Sequence, residues 1–389
     1  MSVADLALQR NKYKHLSDDE WRWFLQQVEG RERTADKLPT FAAIPDWWYP
    51  VRLSCEQCSS ELAARYKASI LPFFHEGAGG RLSTMVDLTG GYGIDTYFLS
   101  EHFDHTDYVE QNAELCRIAE HNFSLPTPTL PKEKDISVHN TTAEEFLASA
   151  GQYDLIFLDP ARRDCHGGKV FRLEDCTPNV IDLLPTLLAH GKRLMIKLSP
   201  MLDLTQAIKE LSAVSLQWSV YVVAIKNEVK EVLLLSQQPG QTCKSIEQTI
   251  TAIDLDKKNQ VFVFSREEES AAISLPFRKG AGLGSFLYEP NAAILKAGAY
   301  KLVAQRLGIH KLDVNTHLYA SDTFVPDFPG RVWKVVEKQD LKQANVLTRN
   351  YPISPEALKK KLHLRDGGTV YVIGCRVNGK PTLFYAERF

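Results

Sequence analysis

Long apolar runs are missing from this chain of 389 residues. None approaches the ~18 residues that a membrane-spanning helix needs, so a helical membrane protein is not expected. The N-terminal stretch MSVADLALQRNKYKHLSDDE is polar and charged and lacks the apolar centre of a secretory leader. A disulfide framework is not expected either. The seven cysteines are scattered and odd in number, the usage of free thiols in a reducing cytosol, and a cytoplasmic location follows as the expectation. Internal repeats and low-complexity tracts are absent too, which argues against solenoids and disordered linkers. What is present is 44% hydrophobic and 24% charged residues, the balance of a soluble globular protein, over a length that suggests two or three domains.

Net charge is also low, at -2, but this conceals an asymmetry. From Ala271 to Phe389 there are 18 Lys and Arg against 9 Asp and Glu; the preceding part carries 28 against 39. An acidic body followed by a basic module suits a polyanionic partner for the module, although a solvated surface has the same composition.

The first eighty residues read as helical. Asp18-Asp19-Glu20 opens an apolar series at Trp21, Phe24, Leu25 and Val28, and Ser59-Ser60-Glu61 precedes a helix with Leu62, Ala63, Tyr66 and Ile70 expected on one face. From Thr84 strands and helices alternate up to Ser236, which predicts a mainly parallel sheet covered on both faces. Its last two strands, Leu216–Ile225 and Val232–Ser236, are too close in sequence for a crossover helix and should be antiparallel. Further on, 291–307 reads as one helix, and Asn378-Gly379 marks a hairpin.

The stretch MVDLTGGYGID, Met85 to Asp95, carries the strongest chemical signal. A strand ends at Asp87; Thr89, Gly90, Gly91 and Gly93 then form a turn whose backbone can approach a ligand closely. Glu110, followed by Gln111, ends the next strand, where a carboxylate can accept two hydrogen bonds from a ribose diol. A dinucleotide would require a third small residue, but Thr96 stands there, and Asp95 would repel a pyrophosphate. S-adenosylmethionine bears a sulfonium cation and no phosphate, and it suits the carboxylates better. Thr142 and Ala143 join Asp87, Thr89, Gly90, Gly91, Gly93, Asp95, Glu110 and Gln111 as expected cofactor-binding residues.

A second strand ends in Asp159-Pro160, within YDLIFLDPARRD. The Asp159 carboxylate and the Pro160 carbonyl could hold an amine acceptor and form the expected catalytic pair. Ala161 departs from the Asp/Asn-Pro-Pro-Tyr pattern of amino-methyltransferases, so an exocyclic amine is not secured. Arg162, Arg163, Lys169 and Lys197 are expected to contact substrate and could meet a phosphate backbone. Cys55-x-x-Cys58 has half the spacing of a zinc site but no second half, so no metal is expected. Cys165 reads as a packing residue.

These segments together resemble a bacterial family, the class I S-adenosylmethionine-dependent methyltransferases with a C-terminal THUMP-like domain. The resemblance rests on Glu56-Gln57-Cys58-Ser59-Ser60 and Ala64-Arg65-Tyr66-Lys67, on Asp87 through Asp95, and on Asp159 through Asp164. Asp175-Cys176-Thr177-Pro178, Lys197 through Asp203 and Glu289-Pro290-Asn291-Ala292 extend it over nearly the whole chain. It implies an α/β fold: a helical N-terminal cap over 1–80 and a seven-stranded Rossmann-like methyltransferase core over 81–270. A small α+β module would follow, with a ferredoxin-like segment over 271–320 and a THUMP-like RNA-binding module over 321–389. It also implies that the Gln-Cys-Ser-Ser run closes over the methyl donor, and that the substrate is RNA, tRNA or rRNA. The alternatives are a dinucleotide-dependent oxidoreductase and a non-catalytic RNA-binding protein.

Overall fold

The computed structural model describes residues 3–71, 82–126, 135–162, 172–211, 217–236, 248–255, 259–277 and 284–389. Its contacts divide the chain into two compact units, Met1–Trp218 with Leu233–Thr242, and Ser219–Val232 with Cys243–Phe389. Residues 219–232 and 243–270, grouped with the core in the sequence reading, thus fall in the second unit. Among the described residues no helix is long and apolar enough to cross a membrane.

The first unit begins with helices. The helix Asp18–Thr34 starts at a capping box, in which Ser17 Oγ accepts from the Glu20 amide and the Glu20 carboxylate accepts from the Ser17 amide. The helix Glu61–Ser69 is capped by Ser60 as expected, but its buried face differs from the expectation. Leu62 is exposed, while Ala63, Ala64, Lys67 and Ala68 are buried. Small residues let this helix lie close to its neighbour, and Lys67 finds a carboxylate there. Phe41, Trp47, Tyr49, Tyr92, Tyr97 and Phe98 then form one aromatic core that joins the N-terminal helices to the glycine-rich turn.

Seven strands follow in this unit: β1 (Leu82–Asp87), β2 (Phe103–Val109), β3 (Asp135–His139), β4 (Leu155–Leu158), β5 (Ala161–Arg162), β6 (Cys176–Thr177) and β7 (Leu194–Leu198). Five of them lie in the order β7-β4-β1-β2-β3, all parallel, and β5 and β6 form a separate antiparallel ribbon. β1 pairs with β2 on one side and β4 on the other, so strand order reverses beside it and opens a crevice at the carboxyl ends. The helix that follows the glycine-rich turn spans Ile94–Leu99, passes into a 3-10 turn at Ser100–His102, and leaves Phe103 to start β2.

β8 (Trp218–Ile225) and β9 (Glu228–Ser236) are joined by two residues, Lys226 and Asn227, both left-handed at φ 53° and 63°. So short a connection makes the pair antiparallel, as anticipated. Leu233–Ser236 of β9 lies in the first unit, beside β7. In the second unit β10 (Thr249–Asp254) runs parallel to β8, and β11 (Gln260–Ser265) runs antiparallel to β10.

The remaining strands are β12 (Phe286–Pro290), β13 (His310–Asp313), β14 (Thr316–Ser321), β15 (Gly330–Val336), β16 (Asn345–Arg349), β17 (Val370–Val377) and β18 (Lys380–Arg388). They form one sheet in the order β13-β14-β12-β15-β18-β17-β16, in which only β16 and β17 are parallel. Pairing of β12 with β15 places strands of both expected C-terminal pieces in a single sheet over a core that includes Leu287, Trp333, Ile373 and Phe384. The helix expected over 291–307 is two, Ala292–Ala297 and Tyr300–Leu307, because Gly298 adopts φ 87° and ends the first.

Candidate active site

A cavity of about 300 Å3 opens at the carboxyl ends of β1, β2 and β4. Asp87, Thr89, Gly90, Gly91, Gly93, Asp95, Glu110, Gln111, Thr142, Ala143, Asp159 and Lys197 all line it. The structure therefore gathers the expected cofactor residues into one place. Pro160, beside Asp159, is half-buried and is not among the lining residues. Arg162 ends β5, and Arg163, Cys165 and Lys169 lie outside the described residues.

The glycines of the turn let it pack closely against neighbouring rings. A Cβ on Gly90 would sit 2.2 Å from the Tyr108 ring, and Gly91 and Gly93 have φ of 55° and 80°. Tyr108 donates its hydroxyl to the Gly91 carbonyl at 2.6 Å, so the same ring that excludes a side chain also fixes the turn. Glu110 holds it from the other side. Its Oε2 accepts from the Gly91 amide at 3.0 Å and its Oε1 from the Asn112 amide at 2.8 Å, which orients the carboxylate along the cavity wall. Tyr92 is tied to the N-terminal region through Trp47 Nε1, which donates to its hydroxyl at 2.7 Å.

Asp87 is 1% exposed and accepts from the Thr89 amide at 3.0 Å and from Thr96 Oγ1 at 2.6 Å. Burial pushes its carboxyl up to about 7, with the Asp95 and Asp159 charges adding to the rise and the two threonines opposing it. Thr96, which stands where a dinucleotide site needs a third small residue, is fully buried and committed to Asp87.

Beyond the turn, charged groups alternate. Asp95 Oδ1 lies 3.2 Å from Lys67 Nζ, and its Oδ2 accepts from Ser59 Oγ at 2.7 Å and Lys197 Nζ at 3.3 Å. Lys197 Nζ also meets Asp159 Oδ2 at 2.5 Å. Burial would raise the Asp95 carboxyl, but Lys67, Lys197 and the Ser59 hydroxyl outweigh it and hold it below the ordinary carboxylate range. Two sequence arguments change here. Asp95 is neutralised inside the protein, so its own charge does not repel a pyrophosphate. Lys197, expected at the substrate, is held between two carboxylates. The Asp159 amide in turn donates to Thr89 Oγ1 at 2.6 Å, which links the glycine-rich turn to the end of β4.

Electrostatics now discriminate between ligands. The lining residues include five carboxylates, Asp87, Asp95, Glu110, Glu144 and Asp159, against one lysine, Lys197. Such a wall favours a cation over a pyrophosphate. Ser54, Gln57, Cys58 and Ser59 from the N-terminal region also line the cavity. Thr177, which ends β6, Pro178 after it, and Phe157 on β4 were not expected. Nothing in strand periodicity marks them, because they reach the cavity only through the crossing of separate segments. Burial pushes the Cys55 thiol up to about 12 and raises that of Cys58, whose Sγ donates to the Cys55 carbonyl, which disfavours the thiolate form of both. Among the described residues no group of His, Cys, Asp and Glu is placed to hold a metal ion.

Two family models match the C-terminal part, a ferredoxin-like domain over residues 286–329 and a THUMP domain-like region over 329–388. Similar proteins include uncharacterized S-adenosylmethionine-dependent methyltransferases of Mycobacterium tuberculosis strains CDC 1551 and H37Rv. Each is 23% identical over 370 residues, which cover 91% of this chain and 92% of theirs. A crystal structure from Porphyromonas gingivalis W83, provisionally described as a methyltransferase, has a TM-score of 0.81 and 32% identity. It covers 96% of this chain and 92% of its own.

Proposed function

Because the chain belongs to the family of class I S-adenosylmethionine-dependent methyltransferases that carry a THUMP-like domain, we propose that it methylates a nucleotide in RNA, either tRNA or rRNA. The observation that carries the RNA reading is the THUMP-like match over 329–388 in a chain that also holds a methyltransferase donor cavity. The excess of basic residues from Ala271 onward supports it.

The residues present fit the donor. Gly90 and Gly93 let the turn pack against the Tyr108 and Phe123 rings, and the Gly91 backbone, at φ 55°, lines the cavity with no side chain to fill it. The acidic wall suits a ligand with a net positive charge. When bound, S-adenosylmethionine supplies a methyl group on a sulfonium, whose departure leaves a neutral thioether. Glu110 would hold the ribose hydroxyls, Asp87 would brace the donor's cationic end through the turn, and Thr142 and Ala143 would border the base. Asp159 would accept a hydrogen bond from the acceptor and take up its proton, while Lys197 keeps that carboxylate in one orientation. This division of labour is mostly positioning, as methyl transfer requires.

The test is transfer of labelled methyl from S-adenosylmethionine to total RNA, followed by nuclease digestion and mass spectrometry of the nucleosides. Label in RNA nucleosides is the expected result. Label in protein alone, or none, would reject the RNA reading and leave the methyltransferase assignment standing.

A further inference from the structure

Lys67 is the most deeply buried cation among the described residues, at 0% exposure, and it is not among the residues lining the cavity. A buried ammonium is tolerated only when its charge is met. Lys67 Nζ meets Asp95 Oδ1 at 3.2 Å and donates to Ser59 Oγ at 3.2 Å. Asp95 in turn meets Lys197, and Lys197 meets Asp159. Two cations and two carboxylates thus run in alternation from the helix Glu61–Ser69, through the first turn of the helix Ile94–Leu99 and the end of β7, to the residue after β4.

The exposures along this chain are graded. The side chains of Lys67, Asp95, Lys197 and Asp159 are 0%, 10%, 11% and 37% exposed. An ion pair is worth more where water is scarce, so Lys197 gains more from Asp95 than from Asp159 whenever Asp95 is short of a partner. Lys67 meets that need first. We propose that Lys67 is a positioning residue for methyl transfer: by compensating Asp95 it leaves Lys197 to fix the Asp159 carboxylate at the acceptor side of the cavity. This rests on the reading that Asp159 faces the acceptor. It extends the site to the helix Glu61–Ser69, which then governs turnover without lining the cavity.

Without Lys67, Lys197 is drawn onto the buried Asp95 and Asp159 is released into solvent-facing orientations. The decisive set is Lys67→Met, Asp95→Asn and the pair together in the full-length protein. Turnover is read as labelled methyl transfer to total RNA, donor-site integrity as the dissociation constant of S-adenosylhomocysteine, and folding as thermal unfolding. Lys67→Met should lower kcat at least tenfold with that constant changed less than threefold. Adding Asp95→Asn removes the uncompensated carboxylate, returns Lys197 to Asp159, and should raise kcat at least threefold over Lys67→Met alone. A purely structural Lys67 would instead lower the melting temperature and leave kcat intact below it, and that result overturns the proposal. So does a folded double variant no more active than the single one. A crystal structure of Lys67→Met adds a reading independent of any acceptor: Lys197 Nζ parted from Asp159 supports the relay, and Lys197 still on Asp159 refutes it even if RNA proves not to be the substrate.

Discussion

Replacing Asp87 with Asn should stabilise the ligand-free protein at neutral pH while weakening donor binding. Asp87 is 1% exposed, and burial lifts its carboxyl from an ordinary value near 3.8 to about 7. Between those two values the folded protein holds a proton that the unfolded chain has released. Stability therefore falls as pH rises from about 4 to about 7 and stays reduced above that. The interval of roughly three pH units corresponds to about 4 kcal/mol, a ceiling that local relaxation will lower. Asparagine carries no charge to bury. Its carbonyl oxygen can still accept from the Thr89 amide, and its NH2 can donate to Thr96 Oγ1, so the neighbours of Asp87 keep partners. Thermal unfolding of both proteins between about pH 5 and pH 8.5 should show a falling wild-type curve below pH 7 and a flatter, higher curve for the variant. S-adenosylmethionine has a net positive charge and favours ionised Asp87. Wild-type affinity should therefore rise with pH up to about 7 and then level, whereas the variant should bind at least tenfold more weakly with little dependence on pH. Parallel melting curves across this window would refute the reasoning, because they would mean that Asp87 holds no excess proton in the folded state.

Glu110→Ala should weaken S-adenosylhomocysteine binding by about 1.5–3 kcal/mol in calorimetry, since it removes the ribose acceptor and the brace on the Gly91 amide together. Unchanged affinity would exclude Glu110 from the donor site. Asp159→Ala should lower kcat more than tenfold with the donor dissociation constant nearly constant, as measured by turnover and calorimetry; full activity would reduce the end of β4 to a structural turn. RNA binding should depend steeply on salt in filter assays. Changing Lys359, Lys360 and Lys361 to Ala should make that slope shallower, mainly through the exposed Lys360 and Lys361, because Lys359 is paired with Asp366 at 2.6 Å. An unaltered slope would place the phosphate contacts elsewhere. Point changes serve better here than a chain cut near Ser270, which would leave Ser219–Val232 and Cys243–Ser270 of the second unit without its remaining part.

Elements set by local rules were legible in the sequence. Asp18-Asp19-Glu20 marks a helix start, and the helix does begin at Asp18, while Asn378-Gly379 takes the two left-handed conformations, φ 47° and 78°, that its hairpin needs. The glycine-rich turn and the acidic ends of β1 and β2 could be placed because strand, turn and helix follow one another without interruption. Misreadings arose where burial depends on distant partners. Leu62 looked like a core residue by helical spacing, yet it is exposed, while Lys67 on the same helix is fully buried. No pattern of hydrophobicity can select a lysine for the interior; only a carboxylate from another segment can, and that carboxylate is Asp95, 28 positions further on.

Asp95 shows most clearly how such an argument can reach a sound conclusion through the wrong cause. Taken alone, its charge was expected to turn away a pyrophosphate. In the folded protein Lys67 and Lys197 absorb that charge, so Asp95 by itself discriminates against nothing. The discrimination passes to the rest of the wall, where Asp87, Glu110, Glu144 and Asp159 face Lys197, which is itself shared between Asp95 and Asp159. Selectivity for a cationic donor is thus a property of the sum, and single neutral substitutions should erode it by degrees. Exchanging Glu144, which lines the cavity, for Gln should weaken S-adenosylmethionine more than S-adenosylhomocysteine, because only the former carries the sulfonium charge. Calorimetry on the two ligands measures that ratio directly. An equal loss for both would assign Glu144 to shape and would return the discrimination to Asp87 and Glu110.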